Sequence, residues 1–60
     1  MLEDYPEALT VEQAAKVLGV GRNLAYRAVQ RGEIPAIRVG GRILVPKGRL
    51  IALLEGDENP

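Results

Sequence analysis

The sequence predicts a small, mainly α domain carrying one β-hairpin, and three features point there. Two amphipathic helical segments lie close together, divided by a short turn that holds Gly19 and Gly21. Pro35 then closes the helical option, and a Gly-Gly pair sits between two β-favouring runs in "AIRVGGRILV". Beyond Pro46, the aliphatic run from Leu50 to Leu54 marks a last short helix. With 60 residues there is room for a single core and none for a deep cleft around a substrate.

The first helix is the best specified. Thr10 is a favourable N-cap and Gln13 stands three residues on, the two halves of a capping box. Leu9 is placed to staple onto Ala14, and Val11, Ala14, Ala15 and Leu18 recur at helical spacing, so the helix covers Thr10 to Leu18. Gly19 follows where a left-handed closure needs glycine. The second helix runs from Arg22 to Arg31, with Gly32 as its stop. Leu24, Ala25, Ala28 and Val29 make its apolar half, while Arg22, Asn23, Tyr26, Arg27, Gln30 and Arg31 make the other.

Two registers are open to the hairpin. A two-residue turn at Gly40-Gly41 pairs Val39 with Arg42 and mixes apolar and charged side chains on one face. A three-residue loop ending at Arg42 instead gathers Ile37, Val39, Ile43 and Val45 on the inner face, leaving Arg38 and Leu44 outward and Arg42 at the tip. We favour the second. The closing helix, Lys47 to Leu54, is expected to bury Leu50, Ile51, Leu53 and Leu54; its start is weakened by Gly48 and lacks acids. The acidic lead 1–8 and the acidic, flexible tail 55–60 flank a domain spanning 9–54.

A net charge of zero conceals a sorted chain. All eight basic residues lie between Lys16 and Arg49, and the only acid in that span is Glu33. The remaining acids sit at the two ends. There is no cysteine and no histidine, so disulfides, thiolate zinc sites, thiol nucleophiles and imidazole bases are all excluded. The start "MLEDYPEALT" lacks a signal-peptide pattern, and no apolar run approaches the ~20 residues that span a bilayer, which predicts a soluble, cytoplasmic protein. Neither metal nor cofactor is expected. Without a catalytic triad, a thiol or a phosphate loop, no enzymatic activity is expected either.

Two helices joined by a short glycine turn form a helix-turn-helix when they cross closely, and Ala15, Gly19, Val20, Ala25 and Ala28 allow that approach. An ordinary helical hairpin is the plain alternative; the small residues at the crossing and the cationic outer face argue against it. In a helix-turn-helix the second helix enters the major groove. Here it would present Arg22, Asn23, Tyr26 and Arg27, where arginine can bond guanine and asparagine adenine through paired contacts. Gln30 and Arg31 extend this face but read equally well as solvated side chains. Arg42, with Arg38 behind it and Gly40 and Gly41 permitting close approach, would form a wing contact. Lys16, Arg31, Lys47 and Arg49 are weaker candidates for phosphate.

The stretch "LTVEQAAKVLGVGRNLAYRAVQRGEIPAIRVGGRILVPKGRLIALL" resembles the small winged helix-turn-helix domains of the excisionase family, relatives of the MerR DNA-binding domain. The resemblance covers Leu9 to Leu54 and is carried by "LTVEQAAKVLGV", "YRAVQRGEIPA" and "IRVGGR" followed by "VP". It implies a winged helix-turn-helix with Arg22 to Gln30 as the base-reading helix and Arg42 as the wing arginine. Gly21 stands where a capping serine is usual, Leu24 where a polar residue is frequent, and Ile43 where an aromatic is frequent.

The resemblance also implies function. A recombination directionality factor binds double-stranded DNA sequence-specifically, bends it, and steers a phage or plasmid integrase toward excision. The acidic ends and basic middle would allow head-to-tail self-association on DNA. A small MerR-like transcription regulator would use the same surface on a promoter. A protein-interaction module would use it on an acidic partner, without the steep salt dependence of DNA binding.

Overall fold

The computed structural model describes residues 2–56. In chain order it contains β1 (Ala8–Thr10), α1 (Val11–Leu18), α2 (Arg22–Gln30), β2 (Ile37–Val39), β3 (Arg42–Pro46) and α3 (Lys47–Glu55). This is a winged helix-turn-helix: three helices and one small antiparallel sheet. Residues 57–60, most of the expected tail, lie outside the described residues.

Local chemistry writes α1. Thr10 Oγ1 accepts the Gln13 backbone N–H at 3.0 Å, and Gln13 Oε1 accepts the Thr10 N–H at 2.9 Å. This reciprocal cap satisfies two otherwise orphaned donors, an arrangement worth about 1 kcal/mol. Gly19, at φ 75°, then closes the helix as a Schellman motif: its N–H donates to Lys16 O at 3.2 Å and that of Val20 to Ala15 O at 3.0 Å. The end of α2 repeats the device. Gly32, at φ 79°, donates to Val29 O at 3.1 Å, and Glu33 to Ala28 O at 2.8 Å.

The core comprises Leu9, Val11, Ala14, Ala15, Ala25, Ile34, Val45 and Leu50. Three of these are alanines on α1 and α2, so the two helices meet through side chains that keep their axes close. Thin contact faces have a consequence for longer side chains beside them. Leu24, expected inside, is 46% exposed, because Ala25 already fills the inner line of α2 and Leu24 lies on its shoulder. Similarly, α3 buries Leu50, half-buries Ile51 and Leu53, and leaves Leu54 exposed.

The sheet corrects two expectations. It has three strands in the order β1-β3-β2, because the lead before α1 pairs with β3: Ala8 with Pro46, Leu9 with Val45 and Thr10 with Leu44. The hairpin also takes the two-residue register, with Val39 opposite Arg42, Arg38 opposite Ile43 and Ile37 opposite Leu44. Gly40 has φ 62° at the first turn position, where a type II′ turn calls for glycine. The physical reason lies in β1. Pairing of fully buried Leu9 with fully buried Val45 fixes which face of β3 is inward. The turn then sends Ile37 and Val39 to the outer face, where they are 49% and 53% exposed. The hairpin extends past the core, so solvent reaches side chains that a fully covered sheet would hide.

Lys47 ties the lead to the body. Its N–H donates to Glu7 O at 2.7 Å, and its Nζ donates to Tyr5 O at 2.9 Å and Leu2 O at 3.3 Å. Glu7 Oε2 stands 3.8 Å away, and only 16% of the lysine side chain is exposed. A charge this far out of water needs such partners, and here backbone carbonyls supply most of them.

Candidate nucleic-acid interface

Helix α2 carries no acidic residue, and its outer side is a row of polar groups. Asn23, Arg27 and Gln30 follow at i, i+4 and i+7, which places them on one stripe, and all three are exposed. Arg31 extends the stripe past the helix end, and Arg22 is exposed at its start. Closing the turn before α2 with a Schellman motif holds this stripe in a fixed direction relative to α1. Long flexible cations therefore stand on a rigid base.

The start of α2 is open. Gly21 occupies the N-cap position and no side chain bonds the first-turn N–H groups. These donors and the helix dipole leave a positive end beside Arg22 and Asn23.

Tyr26 stands apart from the stripe. It is half-buried and packs against the core, and its hydroxyl donates to Glu12 Oε2 on α1 at 3.3 Å. Sequence reasoning placed Tyr26 with the polar half of α2 and did not single out Glu12. The signal for that contact is the helix crossing itself, which brings the first turn of α1 to the flank of α2.

In the wing, Arg42 opens β3 beside Val39 on the outer face and is exposed, so it belongs to a strand and not to a three-residue tip. Arg38 lies opposite Ile43, on the face where Val45 is buried, contrary to its expected outward position. At the sheet edge it still reaches solvent. Gly40 and Gly41 form the exposed turn. The inner side of the hairpin adjoins the end of α2: Val29, Ile34, Ile43, Arg38 and Arg49 all line one recess of about 340 Å³. Arg38 and Arg49, which the sequence assigned to separate contacts, thus share a surface.

Lys16 and Arg49 are exposed, as a phosphate contact requires. Lys47 is not available in this way, because its ammonium is already held by the carbonyls of Leu2 and Tyr5. Among the described residues, no group of His, Cys, Asp and Glu could hold a metal ion, and no helix is long and apolar enough to cross a membrane.

Comparison with known proteins agrees with this geometry. Residues 8–57 match the model of a family described as "Helix-turn-helix domain". Over 39 residues the chain is 49% identical to a "Probable excisionase" of Saccharopolyspora erythraea, a stretch amounting to 65% of this chain and 40% of that protein. The match therefore spans less than half of that relative's length. No solved structure matches the chain.

Proposed function

Because the chain belongs to the helix-turn-helix domain family, we propose that it is a sequence-specific DNA-binding protein of the excisionase type. In this reading α2 enters the major groove, Asn23 and Arg27 contact base edges, and Gln30 extends the same row. Arg22, Arg31, Lys16 and Arg49 contact phosphate, and Arg42 and Arg38 extend the footprint through the wing. Binding bends the duplex and directs an integrase toward excision, and the protein performs no chemistry of its own. The observation that carries the proposal is the acid-free, exposed Asn23–Arg27–Gln30 stripe on a helix fixed by a tight crossing.

Copies on adjacent sites would touch through acidic ends and basic middles, a pairing that the sorted charge supports. The exposed outer wing face, with Ile37 and Val39, offers an apolar supplement.

Footprinting on duplexes that cover the DNA flanking the gene tests the proposal. A protected site is expected, with log K falling about 4–6 units per log unit of salt if roughly five or six phosphates are neutralised. Arg42→Ala should weaken binding on every duplex alike and flatten that slope by about one unit. Absence of any salt-sensitive protection would remove the proposal. Protection confined to a promoter would favour a transcription regulator.

A further inference from the structure

We propose that Glu12 is a positioning residue for base recognition: by accepting a hydrogen bond from the Tyr26 hydroxyl, it leaves the phenol oxygen able to accept only. The inference rests on the DNA-binding reading above and deepens it. A tyrosine hydroxyl has one proton, and an ionised carboxylate is purely an acceptor. While Tyr26 donates to Glu12 Oε2, it has nothing to give a phosphate oxygen, which likewise only accepts. What remains is acceptor capacity, and the donors in the major groove are the adenine N6 and cytosine N4 amino groups.

Every base pair carries one such amino group, on its adenine or its cytosine. An acceptor held over one strand therefore separates A and C from G and T at that position. Half-burial of Tyr26 against the core fixes the ring, and helical spacing, three residues from Asn23 and four from Gln30, sets it on the flank of the exposed stripe. The Glu12 contact is long at 3.3 Å and lies between exposed groups. Excluding water on docking strengthens a charge-assisted bond of this kind. Glu12 also keeps an anion beside the duplex, which disfavours non-specific binding by repulsion.

The test compares wild type with Glu12→Gln, Glu12→Ala and Tyr26→Phe on the footprinted duplex and on duplexes substituted one base pair at a time. Tyr26→Phe is expected to lose about fivefold discrimination between A or C and G or T at one position, the worth of about one hydrogen bond. Glu12→Ala should lose the same discrimination while binding all duplexes more tightly at low salt. Glu12→Gln removes the charge but keeps an acceptor, so it should gain the general affinity and retain the discrimination. Thermal melts of each variant separate a folding defect, since loss of a helix-end carboxylate alone would not alter a ratio between duplexes. Unchanged discrimination in Glu12→Ala, or equal losses on all duplexes for Tyr26→Phe, overturns the assignment while leaving DNA binding intact. Failure of the wild type to bind any duplex would instead remove the reading on which it rests.

Discussion

The two helices of the motif begin in opposite ways. At α1, Thr10 and Gln13 satisfy two of the donors at the start, and Val11, Ala14 and Ala15 behind them are buried. At α2, Gly21 gives no side-chain cap, only Ala25 is fully buried, and the outer stripe is amide and guanidinium groups. Both helices end on glycine closures, so the contrast is confined to their starts and faces. It teaches a division of labour. Satisfied donors and buried methyls make α1 the support, while unsatisfied donors and exposed cations make α2 the reader, held in place by its neighbour.

The strongest challenge to this division is at the crossing, where α2 must act as support. Ala25→Leu adds volume at a fully buried position. Overpacking of that kind costs about 1–3 kcal/mol. For a domain of this size each kcal/mol lowers Tm by roughly 4–8 °C. A melt that scarcely moves would mean the helices cross with space to spare.

Two residues on, at the outer stripe, the expectation reverses. Arg27→Ala should change stability by no more than about 0.5 kcal/mol, because the side chain is exposed. Its effect should fall on DNA instead, costing about 1–3 kcal/mol on the preferred duplex and relaxing choice at one base pair. Paired melts and titrations on matched and scrambled duplexes read both quantities. Equal losses on the two duplexes would demote Arg27 from base reader to phosphate contact.

At the start of α1 the effect is purely structural. Thr10→Ala removes the Oγ1 acceptor used by Gln13 and should cost about 1 kcal/mol. Affinity for DNA, measured well below the new Tm, should stay as it was. A matching loss of affinity would show that the Thr10 cap itself, and not only the helix it starts, takes part in binding.

Much of this division was legible in the sequence, for identifiable reasons. A capping box, helical spacing and glycine closures are short-range patterns, and α1, the turn and α2 follow from them to within about a residue. The exposed stripe of α2 follows from the same periodicity. What escaped depends on contacts distant in sequence. Leu9 pairs with Val45, so the lead supplies a strand and sets the inward face of β3; the hairpin register cannot be read from residues 37–45 alone. Lys47 is held by the carbonyls of Leu2 and Tyr5, and a backbone acceptor leaves no mark in side-chain composition. The Glu12–Tyr26 contact depends on how two helices cross. Leu24 shows the limit of assigning an apolar half by periodicity, since a shoulder position is covered only when a neighbour reaches it.

The smallest expected effect makes the most direct test of the open helix start. Gly21 has φ −73° and ψ 160°, ordinary extended backbone, and a Cβ built there meets nothing within 4 Å. Glycine is therefore not required by the backbone, and serine fits without strain. Gly21→Ser should raise stability by about 0.5–1 kcal/mol, through a better cap and a less disordered unfolded chain. In binding DNA the sign should invert. A serine hydroxyl would occupy a first-turn N–H that, uncapped, is free to meet a phosphate oxygen. Affinity should then fall modestly and equally on matched and scrambled duplexes, since phosphate carries no sequence. Higher Tm with unchanged affinity would mean that the absent cap is simply unused stability, and that α2 grips DNA through its side chains alone.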